Sequence, residues 1–215
     1  MSSGKTMITG NKYLDEVIKD AKTILFYGTA GSGKTTMLMK IATNICKNPM
    51  DKCLYISTEE TLHYERVARN ARKYTNVWFT EIYDFNELLD FTLLKLPYIP
   101  LKHVFVDSIN SLYRVISYEE ESITKYGLLL AALRHKVRES GGKLFASAQV
   151  RAGYEEDEEE LMASGMNILK YWFDVIIFLS WKDNNRVARL VKPAEEEREA
   201  FFEITDEGVE WVNEQ

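Results

Sequence analysis

Residues 28–35, GTAGSGKT, fit the spacing G-x-x-x-x-G-K-[ST], with Gly28, Gly33, Lys34 and Thr35 at the required positions. That spacing suits a polyphosphate, whose charges must be held without bulky side chains in the way. Across Gly28, Thr29, Ala30, Gly31, Ser32 and Gly33 the glycines let backbone N–H groups curl around the phosphates. Lys34 can reach the β and γ oxygens, and the Thr35 hydroxyl can ligate Mg²⁺. A helix opening near Gly33 and running through Thr36 aims its positive end at the same place. The flanks agree: Ile24, Leu25, Phe26 and Tyr27 form a β-rich run, while Met37, Leu38, Ile41 and Ile45 recur at helical spacing.

A second feature points the same way. His103–Ser108, HVFVDS, is a strand-forming run that delivers Asp107 to its C-terminal end. After a phosphate-binding loop, such an acid orients the Mg²⁺ shell. ATP and Mg²⁺ are therefore the expected ligands, with Asp107 acting through water.

The chain has 215 residues, 46% of them hydrophobic, which suits one domain spanning 1–215. A net charge of −6 supplies no global basic field, so any nucleic-acid contact must be local. The N-terminal MSSGKTMITG has no apolar signal region and no stretch approaches a membrane span, which predicts a soluble cytoplasmic chain without membrane contact. Cys46 and Cys53 lack metal-ligand spacing and are expected as reduced core thiols. Glutamine is confined to Gln149 and Gln215 against 28% charged residues, a balance that leans toward a thermophile.

A short helix within residues 7–17 should dock at the edge of the first strand. Strands are expected at 53–57, 77–79, 103–108 and 143–148, and helices at 61–73, 85–96, 122–140 and 166–173. Leu128, Leu129, Ala132, Leu133 and Val137 form the expected buried side of the long helix. Tyr171 and Trp172 are read as core packing. Three β-runs close the chain at 175–181, 186–191 and 200–204. Strands alternating with helices, then antiparallel strands, give an α/β fold with a mostly parallel central sheet and a C-terminal antiparallel hairpin extension.

These residues resemble the RecA-like ATPases, and within them the archaeal RadA recombinase paralogues and the KaiC-like proteins. ITGNKYLDEV resembles the family's entry motif, YISTEETLHYERV the segment whose Glu activates the attacking water, and ASAQV the strand ending whose Gln senses the γ-phosphate. The closing FFEITDEG is similar to the recombinase ending. The resemblance implies a RecA-like core in which the fifth strand lies between the first and the Asp107 strand. It implies Glu59 as the water-activating base at the recombinase position, with Glu60 beside it because KaiC-like proteins carry paired glutamates there. Gln149 would stand beside Lys34 and Asp107. Lys192 or Arg189 matches the position of a trans-acting contact to a neighbour's γ-phosphate, so an oligomer is possible.

Departures from the family are equally informative. The resemblance starts near Ile8 and leaves out the N-terminal helical domain and polymerisation linker of full recombinases, so filament formation by this chain alone is not expected. Both segments that match DNA-binding loops, 117–124 and 151–164, are acidic, whereas phosphate contact needs Lys or Arg. Arg114, Lys125, Arg134, Lys136 and Arg151 remain as local contacts for single-stranded DNA. Two readings follow: an ATPase that modulates recombination or repair with DNA, a recombinase or another repair protein as partner, or a KaiC-like nucleotide-dependent regulator without DNA. In either, the acidic segments can serve as a docking or regulatory surface.

Overall fold

Strand β1, Thr23–Gly28, is buried because it has neighbours on both edges and helices on both faces. Its side chains alternate between those faces. Leu25 joins one core layer, and Ile24 and Phe26 join the other. A strand with no solvent face needs apolar residues at successive positions, which this run supplies. The computed structural model describes residues 7–59, 63–150, 165–194 and 198–212, with the side chains of residues 63 and 66 outside that description. Glu60, Arg151 and the acidic segment 151–164 therefore lie outside the described residues.

The further strands are β2 Cys53–Ser57, β3 Val77–Glu81, β4 His103–Asp107, β5 Leu144–Gln149, β6 Val175–Lys182, β7 Asn185–Lys192, β8 Glu199–Thr205 and β9 Gly208–Trp211. They form one sheet in the order β3-β2-β4-β5-β1-β6-β7-β8-β9. Pairing is parallel from β3 through β6 and antiparallel from β6 to β9. The fifth strand does lie between β1 and β4. Strand β6 pairs parallel with β1 before turning into the hairpins, and β9 is a strand for which the sequence had shown no separate run.

The helices are α1 Lys12–Ile18, α2 Lys34–Ile45, α3 His63–Arg69, α4 Phe85–Asp90, α5 Ser111–Ile116, α6 Ser122–Glu139 and α7 Met166–Trp172. On one face of the sheet α1 and α2 bury Leu14, Ile18, Met37, Leu38 and Ile41 against Phe26, Phe105 and Phe145. On the other, α4 to α7 bury Leu88, Leu112, Leu133 and Leu169 against Leu25, Val106 and Ala146. The entry motif has a local explanation. The Asp15 carboxylate accepts from the backbone N–H of Ile8 (3.1 Å), Thr9 (2.6 Å) and Gly10 (3.3 Å), and Asn11 caps α1 by accepting from Tyr13 and Leu14.

Several expectations are corrected here. Since β1 is interior, α1 lies on a face of the sheet instead of at an edge strand. The segment expected as one helix over 85–96 is α4 followed by a π-turn, Phe91–Lys95, and a 3₁₀ turn, Leu96–Tyr98. Pro97 is accommodated because it stands in that turn's first positions, where its missing N–H costs nothing. Helix α3 is likewise short, and a 3₁₀ turn, Ala71–Tyr74, completes the segment. The buried stripe of α6 is Tyr126, Leu129, Leu130, Leu133 and Val137. Leu128 is 48% exposed and falls outside it. Trp172 packs against the core as expected, but Tyr171 is exposed. Cys46 and Cys53 are joined by a disulfide, because the end of α2 returns beside the start of β2 with the two Cα atoms 6.0 Å apart.

Candidate functional site

The carboxyl ends of β1, β2, β4 and β5 converge, since Gly28 is the register partner of Gln149 and Ser57 that of Asp107. Open α/β sheets bind ligands at this edge. Gly28 admits no side chain: a Cβ there would stand 2.0 Å from the carbonyl oxygen of Leu179 on β6. Gly33, with φ of +101°, reverses the chain into α2, and a Cβ on it would press on Phe202 and Ile204 of β8 at 3.1 Å.

Lys34 is the first residue of α2 and is 9% exposed. Its Nζ donates to the carbonyl of Thr29 at 2.7 Å, so the ammonium lies inside the loop's concavity. Burial pushes its pKa below the ordinary 10.5, while Asp107 and Glu59 pull it upward and Arg114 of α5 adds to the lowering. Those contributions place both acids within electrostatic reach of the lysine. Thr35 exposes its side chain, and the first N–H groups of α2 have no intrahelical acceptor. The Ser32 hydroxyl is buried without a hydrogen-bond partner among the described residues, a donor available inside the loop.

Asp107 is held from both sides. The Tyr55 hydroxyl on β2 donates to Oδ2 at 2.8 Å, and the Ser147 hydroxyl on β5 donates to Oδ1. An ionised carboxylate accepts at about four sites, so each oxygen keeps capacity for a water. The Thr35 hydroxyl and the Asp107 carboxylate are hard oxygen donors, the ligand chemistry Mg²⁺ prefers. The residues present fit a Mg-nucleotide.

Glu59 follows β2 with its side chain largely exposed. The Ser108 hydroxyl donates to its Oε1 at 2.6 Å, and its own carbonyl accepts from the Ser57 hydroxyl at 2.8 Å. Gln149 is fixed through its backbone: its N–H donates to Asn110 Oδ1 at 3.0 Å, and its carbonyl accepts from Asn110 Nδ2 at 2.9 Å. Tyr55, Ser147, Ser108 and Asn110 were not found by sequence reasoning. A signal existed for Ser147, a hydroxyl in the otherwise apolar buried run of β5, where an unpaired polar group would be costly.

On the other flank the β6–β7 hairpin reaches the loop. Arg186 Nε donates to the Gly31 carbonyl at 3.3 Å while its guanidinium stacks on Trp181, 4.1 Å from the ring centroid. Beyond Gly33 a cleft of about 880 Å³ is lined by Glu65, Arg69, Asn70, Ile204, Thr205, Asp206 and Glu207. Of the two trans-contact candidates, Lys192 donates to the carbonyls of Lys170 and Phe173 at the end of α7, each at 2.6 Å. Arg189 lies over Phe178 at 5.5 Å. The basic residues considered for DNA are largely committed within the chain: Arg134 pairs with Asp174 at 2.8 Å, Lys125 with Glu119 at 3.3 Å, and Lys136 donates to the carbonyls of Pro97 and Ile99.

The glycine-rich loop between β1 and α2, the strand-end Asp107 and a sheet of this order are those of a RecA-like ATPase domain. Residues 5–93 match the family model described as the KaiC ATPase. The chain is also 30% identical to the DNA repair and recombination protein RadB of Methanosphaera stadtmanae, over 226 aligned positions that take in 96% of this chain and 97% of that protein. It belongs to the RadB family.

Proposed function

We propose that the chain binds Mg-ATP at residues 28–36, hydrolyses it slowly, and modulates homologous recombination or DNA repair as a RadA paralogue. The observation that carries this reading is the convergence of Lys34, Asp107 and Glu59 at one sheet edge, where Lys34 opens α2 after β1 and Ser57 at the end of β2 pairs with Asp107. The name of the related RadB protein supports the repair setting.

Lys34 exchanges its bond to Thr29 for the β and γ oxygens of the nucleotide. Thr35 and Asp107 would hold Mg²⁺, Asp107 through water, and the ion would neutralise charge developing on the phosphates. Glu59 orients and deprotonates the attacking water, alone or with Glu60. Gln149 meets the γ-phosphate from the end of β5. Turnover is slow because a contact from DNA, a recombinase or a second copy is needed to complete the site.

A second reading is a KaiC-like nucleotide-dependent regulator without DNA. The match over residues 5–93 and the acidic turn Glu119, Glu120 and Glu121 between α5 and α6 favour it. ATP turnover with and without single-stranded DNA, across salt concentrations, separates the two. Stimulation that fades as salt rises supports the recombination reading, because phosphate contacts release counterions. Turnover indifferent to DNA at low salt supports the regulator.

A further inference from the structure

Residues 107–110, the turn between β4 and α5, touch both Glu59 after β2 and the end of β5. Asp107 supplies the acid. Ser108 donates through its hydroxyl to Glu59. The Ile109 N–H donates to the Ser147 carbonyl at 2.8 Å, and Asn110 grips the backbone of Gln149 on both its donor and its acceptor.

The turn is itself held rigidly. Thr58 accepts from the Ser108 N–H at 2.9 Å and donates through the same hydroxyl to the Ser108 carbonyl at 2.7 Å. The Thr58 N–H donates to the Asp107 carbonyl at 2.8 Å. Ser108 is 2% exposed and Asn110 is fully buried. Asn110 stands at the N-cap position of α5, where an Asn side chain ordinarily bonds the helix's own first N–H groups. It makes no such cap bond. Its amide is spent on Gln149, which is the choice expected where the end of β5 must be fixed and not the start of a six-residue helix.

We infer that Ser108 and Asn110 are positioning residues of the proposed hydrolysis: Ser108 aims the Glu59 carboxylate, and Asn110 sets the end of β5 from which Gln149 projects. The inference rests on the proposed ATPase reading. Glu59 is otherwise a largely exposed side chain on a segment following β2, and an exposed carboxylate samples several rotamers. A charge-assisted bond from a buried hydroxyl selects one of them. Because one turn carries both contacts and leads directly into α5, a displacement of α5 reaches the water-activating carboxylate and the glutamine together.

The test compares steady-state ATP turnover, affinity for a fluorescent ATP analogue and thermal melting in the native full chain, Glu59→Gln, Ser108→Ala, Ser108→Cys and Asn110→Ala. Cysteine keeps the serine's shape with a larger atom and is a weak donor, so a role in filling space alone leaves Ser108→Cys nearer to native turnover than Ser108→Ala. The expected result is a fall in kcat of about 10-fold or more for both Ser108 variants, with KM and analogue affinity within about twofold of native. Combining Ser108→Ala with Glu59→Gln should then add no further loss, and Asn110→Ala should be similarly non-additive with Gln149→Ala. If Glu59→Gln loses turnover while Ser108→Ala and Ser108→Cys keep it, the positioning role is overturned and the ATPase reading stands. If the native chain binds the analogue without turnover, or Glu59→Gln turns over like native, both fall together.

Discussion

Tyr55 donates its hydroxyl proton to Oδ2 of Asp107 at 2.8 Å, linking the middle of β2 to the end of β4 inside the sheet. Both residues are buried, at 0% and 8% exposure, so the bond has no competing water on the tyrosine side. Replacing Tyr55 with Phe removes the donor and leaves a buried carboxylate short of one partner. A loss of about 1–3 kcal/mol in unfolding free energy is expected from denaturant titration. The same variant should need more Mg²⁺ for half-maximal turnover, since Asp107 loses one of its two orienting bonds.

Gly28 to Ala should be far more damaging than a surface Gly to Ala change. The added carbon would lie 2.0 Å from the Leu179 carbonyl, so β6 must move away from β1 at the point where the loop begins. Loss of soluble folded protein, or a fall in melting temperature together with loss of ATP-analogue binding, is expected. Gly127, whose added carbon would meet nothing within 4 Å, is the control and should tolerate Ala.

His103 predicts a specific acid sensitivity. Burial lowers its pKa from 6.5 to about 4, with Lys102 adding to the lowering and Asp51 opposing it. Its Nδ1 accepts from the Lys143 N–H at 3.1 Å, which requires the neutral ring. The unfolded chain therefore binds this proton more tightly than the folded one. Stability is complete above pH 6.5 and is lost as pH falls from there to about 4, by about 3 kcal/mol in total. Denaturant titrations at several pH values across that window should show a smaller decline for His103→Asn, whose side-chain oxygen can still accept from Lys143. An equal decline in both would remove His103 as the cause.

The Cys46–Cys53 disulfide closes a short loop, with a sequence separation of 7, between α2 and β2. Reduction should cost about 2 kcal/mol, mostly through the freed unfolded chain. The melting temperature of the native chain should fall on adding reductant, and that of Cys53→Ala should not respond.

The strand, glycine-rich turn and helix at residues 23–45 were legible because their parts are contiguous in sequence. Asp107 was legible for a similar reason, as the polar end of an apolar run. The alternation of strands and helices likewise disclosed the parallel pairing of β1 to β5, while the place of β5 between β1 and β4 followed from the family resemblance. What stayed hidden depends on partners distant in sequence. Tyr55 and Asp107 are 52 residues apart, Ser147 and Asp107 40, and Asn110 and Gln149 39, and only the β2-β4-β5 adjacency brings them together. Cys46 and Cys53 are close in sequence, yet their pairing needs the end of α2 to meet the start of β2. The burial of Leu130 in place of Leu128 was lost for a smaller reason, since a run of consecutive leucines leaves the helical phase undetermined until the opposite layer is known.

The most direct test of the central claim is phosphate release from Mg-ATP by the native chain, Lys34→Ala and Glu59→Gln, with analogue binding measured alongside. The expected result is slow turnover by the native chain, neither binding nor turnover by Lys34→Ala, and native binding by Glu59→Gln with turnover reduced about 100-fold. Native turnover by Glu59→Gln, or unimpaired nucleotide binding by Lys34→Ala, would contradict the account.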